Sequence, residues 1–229
     1  MAKKPKKSKK QSLKKISVPK YSLGEELINA ISHGVGASLA IAALVVCIVH
    51  SHSALGVISS CLYGSMMILM YIFSCIYHSL TPKARGKKIL RVLDHDNVFL
   101  MEAGTYMPVA LALLVNNGYV ALGWVIFGLV WAITIVSIVF TSIDVDKYQI
   151  VGVICNLVLG WGALFILPVL IKVLPPAGIL MLILGGATYS LGALWFGLGS
   201  RIKWMHSVFH FYVLLASVFH FFLIYFFCI

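Results

Sequence analysis

Charge is what this sequence has least of. Only 11% of its 229 residues are charged, against about a quarter in an ordinary soluble domain, and 61% are hydrophobic. A soluble body is excluded, and no room is left for a second globular domain. Acids are scarcer still, seven in all. The five cysteines, Cys47, Cys61, Cys75, Cys155 and Cys228, sit inside apolar runs and never form CxxC. That excludes a disulfide framework and a thiolate zinc site. HExxH is absent, and with it the metalloprotease signature. The first apolar run carries Asn29 and His33, is too long for a signal-peptide core and ends without a small-residue cleavage pattern, so no cleaved leader is expected. No internal repeat suggests a two-halved transporter. No span carries a polar stripe able to line a wide aqueous pore.

What is there is a series of long apolar segments. They run at about 27–49, 55–79, 95–115, 119–141, 150–171 and 177–198, and from about 206 to the C-terminus. Each is near the roughly 20 residues a helix needs to cross the hydrocarbon core. The expected fold is an all-α membrane protein of seven transmembrane helices, with residues 1–22 as a basic tail and 23–229 as the membrane domain. Ser22 followed by Glu25 and Glu26 marks the first helix start.

The net charge of +11 is unevenly placed: nine of the eighteen Lys and Arg fall in the first twenty residues. Beside a membrane span, such a tail fits contact with anionic lipid headgroups better than nucleic-acid binding. A disordered segment that only sets topology fits equally well. With seven spans and a cytoplasmic N-terminus, the tail and the segments 81–92, 142–149 and 200–205 lie inside. Together they hold every Lys and Arg except Lys172. This positive-inside bias places the N-terminus in the cytoplasm and the C-terminus outside.

Topology then sets depths. Ser74 and His78 lie at the inner end of the second span, Asp94 at the inner end of the third, and His206 and His210 at the inner end of the seventh. All five fall within about 10 Å of one membrane plane. His206 and His210 are four apart and share one helix face. Three imidazoles with an open position suit a catalytic zinc site, and would also accept iron or cobalt. Asp94 would hold or deprotonate a water there, and Ser74 would bond that water or a ligating ring. The plainer alternative, that each histidine bonds a neighbouring helix, stays open on spacing alone. His220 is about 20 Å from His206 along the axis and is expected to make a structural hydrogen bond instead. His33 and Glu102, about 10 and 12 Å deep, are expected to pair. His95 and Asp96 flank the plane without a ligand role.

The pattern Ser74-x3-His78, Leu93-Asp94-His95 and His206-x3-His210-x9-His220 resembles the haemolysin III family, the bacterial branch of the progestin and adipoQ receptor group that includes the adiponectin receptors. Glu26-x2-Asn29-x3-His33-Gly34, Ala103-Gly104-Thr105-Tyr106-x-Pro108 and Gly185-Gly186-x2-Tyr189-x2-Gly192 extend the likeness to every span except the fourth and fifth. Glu102 departs from the pattern, since an apolar residue is expected there. The resemblance implies a seven-helix cell-membrane protein with zinc held by His78, His206 and His210. It places Asp94 and Ser74 nearby, acting through water. It extends to a wider superfamily containing alkaline ceramidases, in which such a zinc activates water against a lipid amide.

Three functions follow as expectations. The first is zinc-dependent hydrolysis of an amide or ester bond in a membrane lipid, with Asp94 as general base. The second is a receptor or membrane-homeostasis regulator with structural zinc, using the tail and residues 81–92 as a coupling surface. The third is the cytolytic activity that the family's name suggests.

Overall fold

The computed structural model describes residues 16–84 and 86–229. Most of the basic tail therefore lies outside the described residues. Seven helical spans follow one another: α1 (Leu23–His50), α2 (Ala54–Ser79), α3 (Lys87–Leu114), α4 (Val120–Ile143), α5 (Val145–Val173), α6 (Pro176–Leu198) and α7 (Met205–Phe227). All seven are long and apolar enough to cross a membrane. Successive helices reverse direction, so the start of α1 shares one face with the α2–α3, α4–α5 and α6–α7 connections. We call this the amino-terminal face.

Local chemistry explains the starts. The Ser22 hydroxyl accepts from the Glu25 N–H, and Glu25 accepts from the Ser22 N–H at 2.8 Å, a reciprocal cap for α1. Ser53 caps α2 and also accepts from Asn116 Nδ2 at 3.0 Å, tying two connections on the opposite face. Asp144 ends α4 and begins α5, accepting from the Lys147 N–H. Trp204, before α7, holds a left-handed φ of 69°, a conformation that is costly for a bulky side chain. Its N–H donates to Glu25 Oε1 at 2.7 Å. Glu25 thus fixes the entry of α7 against the start of α1.

Two spans leave α-helical geometry. Pro108 lacks an N–H, and the chain widens into a π-helical stretch over Pro108–Leu114. In α5 the chain tightens to a 3₁₀ stretch at Trp161–Ile166 just before Pro168. Both stretches border the internal cavity described below. Irregular backbone is tolerated in a membrane where it is buried in protein or lines such a space.

α3 is the central helix, with 72% of its apolar window buried against 17–44% for the other six. It packs on α2 and α4, while α7 packs on α1 and α6. Outward-facing residues such as Val139, Ile150 and Phe165 are exposed and apolar, as a lipid-facing surface requires.

Two expected loops are corrected. Residues 81–92 were expected to be a basic loop, but α3 begins at Lys87. Residues 142–149 shrink to the single junction residue Asp144. The reason is pairing. Lys87 is 0% exposed, with its Nζ 2.5 Å from Glu26 and 2.7 Å from the Leu80 carbonyl. Arg91 is buried too, 2.6 Å from Asp146. These two cations hold the bundle together and offer no surface for a partner.

Candidate metal centre

His78 comes from the last turn of α2, and His206 and His210 from the first turns of α7. All three are buried. One ligand atom from each lies within 4.8 Å of the others. The Nε2 atoms of His206 and His210 are 3.3 Å apart. Ligand nitrogens about 2.0–2.1 Å from a tetrahedral ion sit ~3.3 Å from one another, so this pair is already at ligand spacing.

The tautomer of His78 follows from its surroundings. Its Nδ1 lies 2.7 Å from Glu26 Oε2, so Nδ1–H donates there and the lone pair is left on Nε2. Nε2 is buried and has no hydrogen-bond partner among the described residues. Such an orphan is costly unless a ligand meets it. A carboxylate holding the far nitrogen of an imidazole is the usual support behind a metal-ligating histidine. Lys87 holds that carboxylate from its other oxygen. The donor set therefore fits a borderline metal ion such as zinc.

Neighbouring rings pack against the other two histidines. The Tyr21 ring stacks on His206 at 4.8 Å and 17°, and lies 5.8 Å from His78. Burial first, then the Asp94 and Glu26 carboxylates, push the Tyr21 hydroxyl well above its ordinary pKa, so it stays a neutral phenol. The segment carrying Tyr21 is clasped at Ser17, whose N–H and Oγ donate to Asp146 at 2.9 and 2.8 Å. Arg91 donates to the Ser17 carbonyl at 2.6 Å. Residues 16–22 thus form an irregular strap over the amino-terminal face of the cluster. Below it, the His33 ring packs on His210 with centroids 3.8 Å apart.

Asp94 and Ser74 adjoin the cluster. The Asp94 carboxylate has the His78 ring, the Ser74 hydroxyl and Arg91 as neighbours. Both residues line a cavity of about 170 Å³ that is also lined by His206 and His210. Its walls are largely apolar and run outward between α3, α5, α6 and α7. Buried imidazoles, a carboxylate and an apolar channel together can bind an acyl chain and present its carbonyl to a metal and a base.

Some expectations about other polar residues are corrected. His33 and Glu102 both line the cavity but do not pair, since neither ring nitrogen of His33 has a partner. His33 instead packs against His210 with the two rings tilted by 30°. The His220 ring has the Leu182 carbonyl as its backbone neighbour and packs near Tyr189. Asp96 accepts from Thr141 and from Ser142 Oγ, joining α3 to α4.

Glu26 and Tyr21 were not among the expected site residues. Glu26 reads as a helix-start acid, and Tyr21 falls in the tail. The missed signal was Lys87, a cation on the buried face of a helix that requires an acid within reach. Glu26→Gln is expected to lower metal affinity about 10- to 100-fold, measured by competition with a chelating dye. Unchanged affinity with a lower thermal midpoint would assign Glu26 to Lys87 alone.

Residues 21–221 match the family described as Haemolysin-III related. The chain is 34% identical over 202 residues to a Bacillus cereus protein named Hemolysin-3, covering 86% of this chain and 89% of that one. It is also 34% identical over 212 residues to a Hemolysin-3 homolog of Bacillus subtilis (strain 168), covering 91% and 97%.

Proposed function

The chain belongs to the haemolysin III family and is a multi-pass cell-membrane protein, and on that premise we propose that it is a zinc-dependent hydrolase of an amide or ester bond in a membrane lipid. The observation that supports this reading best is the convergence of three buried imidazoles, two of which, His206 and His210, line an apolar cavity together with Asp94. A purely structural ion needs no such cavity and no adjacent carboxylate.

His78, His206 and His210 are the ligands. When bound, zinc supplies Lewis-acid polarisation of a carbonyl and lowers the pKa of water towards about 7. The acyl chain lies in the cavity, which keeps bulk water from it. Asp94 removes a proton from the attacking water as the new C–O bond forms. It returns that proton to the leaving nitrogen or oxygen as the old C–N or C–O bond breaks. The Ser74 hydroxyl orients the carboxylate for both transfers. The site opens toward the cytoplasmic leaflet, and the basic tail contacts anionic headgroups there.

The test is hydrolysis of an N-acyl and an O-acyl lipid by detergent-purified protein before and after chelation. Turnover is expected to disappear with chelator and return with zinc. A chelator that lowers thermal stability in a protein showing no turnover on either substrate would favour a structural ion in a receptor or regulator. The haemolysin name of the relatives raises lysis as another activity; release of dye from vesicles by the chelated protein would favour that reading.

A further inference from the structure

Six of the seven acids have identified partners. Glu25 bonds Ser22 and Trp204, Glu26 bonds His78 and Lys87, and Asp94 neighbours Ser74 and His78. Asp96 takes Thr141 and Ser142, Asp144 caps α5, and Asp146 holds Ser17 and Arg91. Glu102 alone has no hydrogen bond or ion pair among the described residues, and its Oε2 is a buried orphan. An unpartnered carboxyl in a membrane span is costly and marks a functional position by default.

It is not the only orphan at that depth. Both ring nitrogens of His220 and the Oδ1 of Asn156 are buried and unpartnered, and all three residues line the cavity. Tyr189 stands between Glu102 and His220, an electrostatic neighbour of the first and 5.5 Å from the ring of the second. The backbone is cut away for both side chains. A Cβ at Gly160 would lie 3.1 Å from Glu102 Oε1, and one at Gly185 would lie 2.2 Å from His220 Nε2. Two separate helices thus give up side-chain volume to seat two polar side chains that carry buried atoms without a hydrogen-bond partner among the described residues.

The same cavity joins this cluster to the metal centre. Glu102 is eight residues beyond Asp94 on α3, about 12 Å along the helix, and His220 is ten beyond His210 on α7, about 15 Å. Both helices run outward from the amino-terminal face. Between the two polar ends the wall carries Val98, Met101 and Val213. The cavity is polar at both ends and apolar in the middle.

We propose that Glu102, Asn156 and His220 form a second, outer subsite that receives a hydroxyl or amino group of the ligand whose carbonyl lies at the three histidines. The ligand class is an amphiphile with two polar groups separated by an apolar stretch of about 12–15 Å. Glu102 and Asn156 Oδ1 offer acceptors, and a ring nitrogen of His220 offers one more. A plain alkyl chain would leave all of them unsatisfied, whereas a donor-bearing end meets them. This assignment rests on the reading of the carbonyl end given above, but its test needs no turnover.

Full-length protein in detergent is titrated with lauric acid, ω-hydroxylauric acid and ω-aminolauric acid against a fluorescent fatty acid. One of the two ω-substituted acids is expected to bind about tenfold or more tightly than lauric acid, and which one does so identifies the donor. Glu102→Leu should erase that preference without weakening lauric acid. It should also raise the thermal midpoint, because a buried unpaired polar group is removed. Glu102→Gln, closest in shape, should keep a hydroxyl preference and lose an amino one. Equal affinity of wild type for all three acids would overturn the subsite and assign its polar atoms to water. So would a preference that survives in Glu102→Leu. Hydrolysis with flat probe affinities removes only the subsite; a clear preference in a protein without turnover removes only the hydrolase.

Discussion

The His206→Ala substitution is expected to lower metal content from about one ion per chain to a small fraction of that, and the proposed hydrolysis with it. A structural zinc site gains about 10–16 kcal/mol from four ligands, so one imidazole is worth on the order of 3 kcal/mol, or more than a hundredfold in affinity. No spare ligand stands by: within the described residues, His78, His206 and His210 are the one group with metal-ligand spacing. The substitution also removes the ring on which Tyr21 stacks. The strap should therefore loosen, with faster proteolysis near residue 20 as a second readout. Metal analysis of protein purified without chelator, compared with His78→Ala, is the measurement. Wild-type protein free of metal, or His206→Ala protein that keeps a full complement, would remove the metal centre.

Asp94→Asn separates binding from chemistry. Asparagine keeps the shape and a hydrogen bond to Ser74, but it cannot accept the proton of the attacking water. General-base catalysis contributes typically 10²–10⁴-fold, and kcat should fall by about that factor while metal content stays near wild type. Asp94 is not a ligand in this geometry, so parallel loss of metal and activity would reassign it to the coordination shell. Full activity in Asp94→Asn would take the base role from it altogether.

The membrane architecture was legible because each span is a long apolar run and the connections carry the charge. The gathering of His78, His206 and His210 was legible by depth alone, since alternation of seven spans brings the end of the second and the start of the seventh to one face. Depth says nothing of azimuth. It suggested His33 for Glu102, yet the helix rotations turn His33 onto His210 and leave Glu102 alone. Charge counting failed in a different way. Lys87 and Arg91 looked like surface cations because the acids that neutralise them, Glu26 and Asp146, are distant in sequence. The strap was hidden for the same reason: Ser17 and Tyr21 sit at the edge of a lysine-rich tail, and only their long-range partners show that they are ordered against the bundle.

The polarity of α3 also bears on how the chain is made. It holds Lys87, Lys88, Arg91, Asp94, Asp96 and Glu102, and even its apolar 18-residue stretch has a mean hydropathy of 1.4, the lowest of the seven. A charged residue at the middle of an isolated inserting helix costs about 2.5–3.5 kcal/mol on the translocon scale, less towards its ends. Glu26 and Ser74, which receive two of these residues, are synthesised before α3. Thr141, Ser142 and Asp146, which receive others, come after it. The helix at the centre of the bundle is therefore the one least able to enter lipid by itself, and a chain truncated after residue 114 would lack the Thr141, Ser142 and Asp146 side chains that receive Asp96 and Arg91.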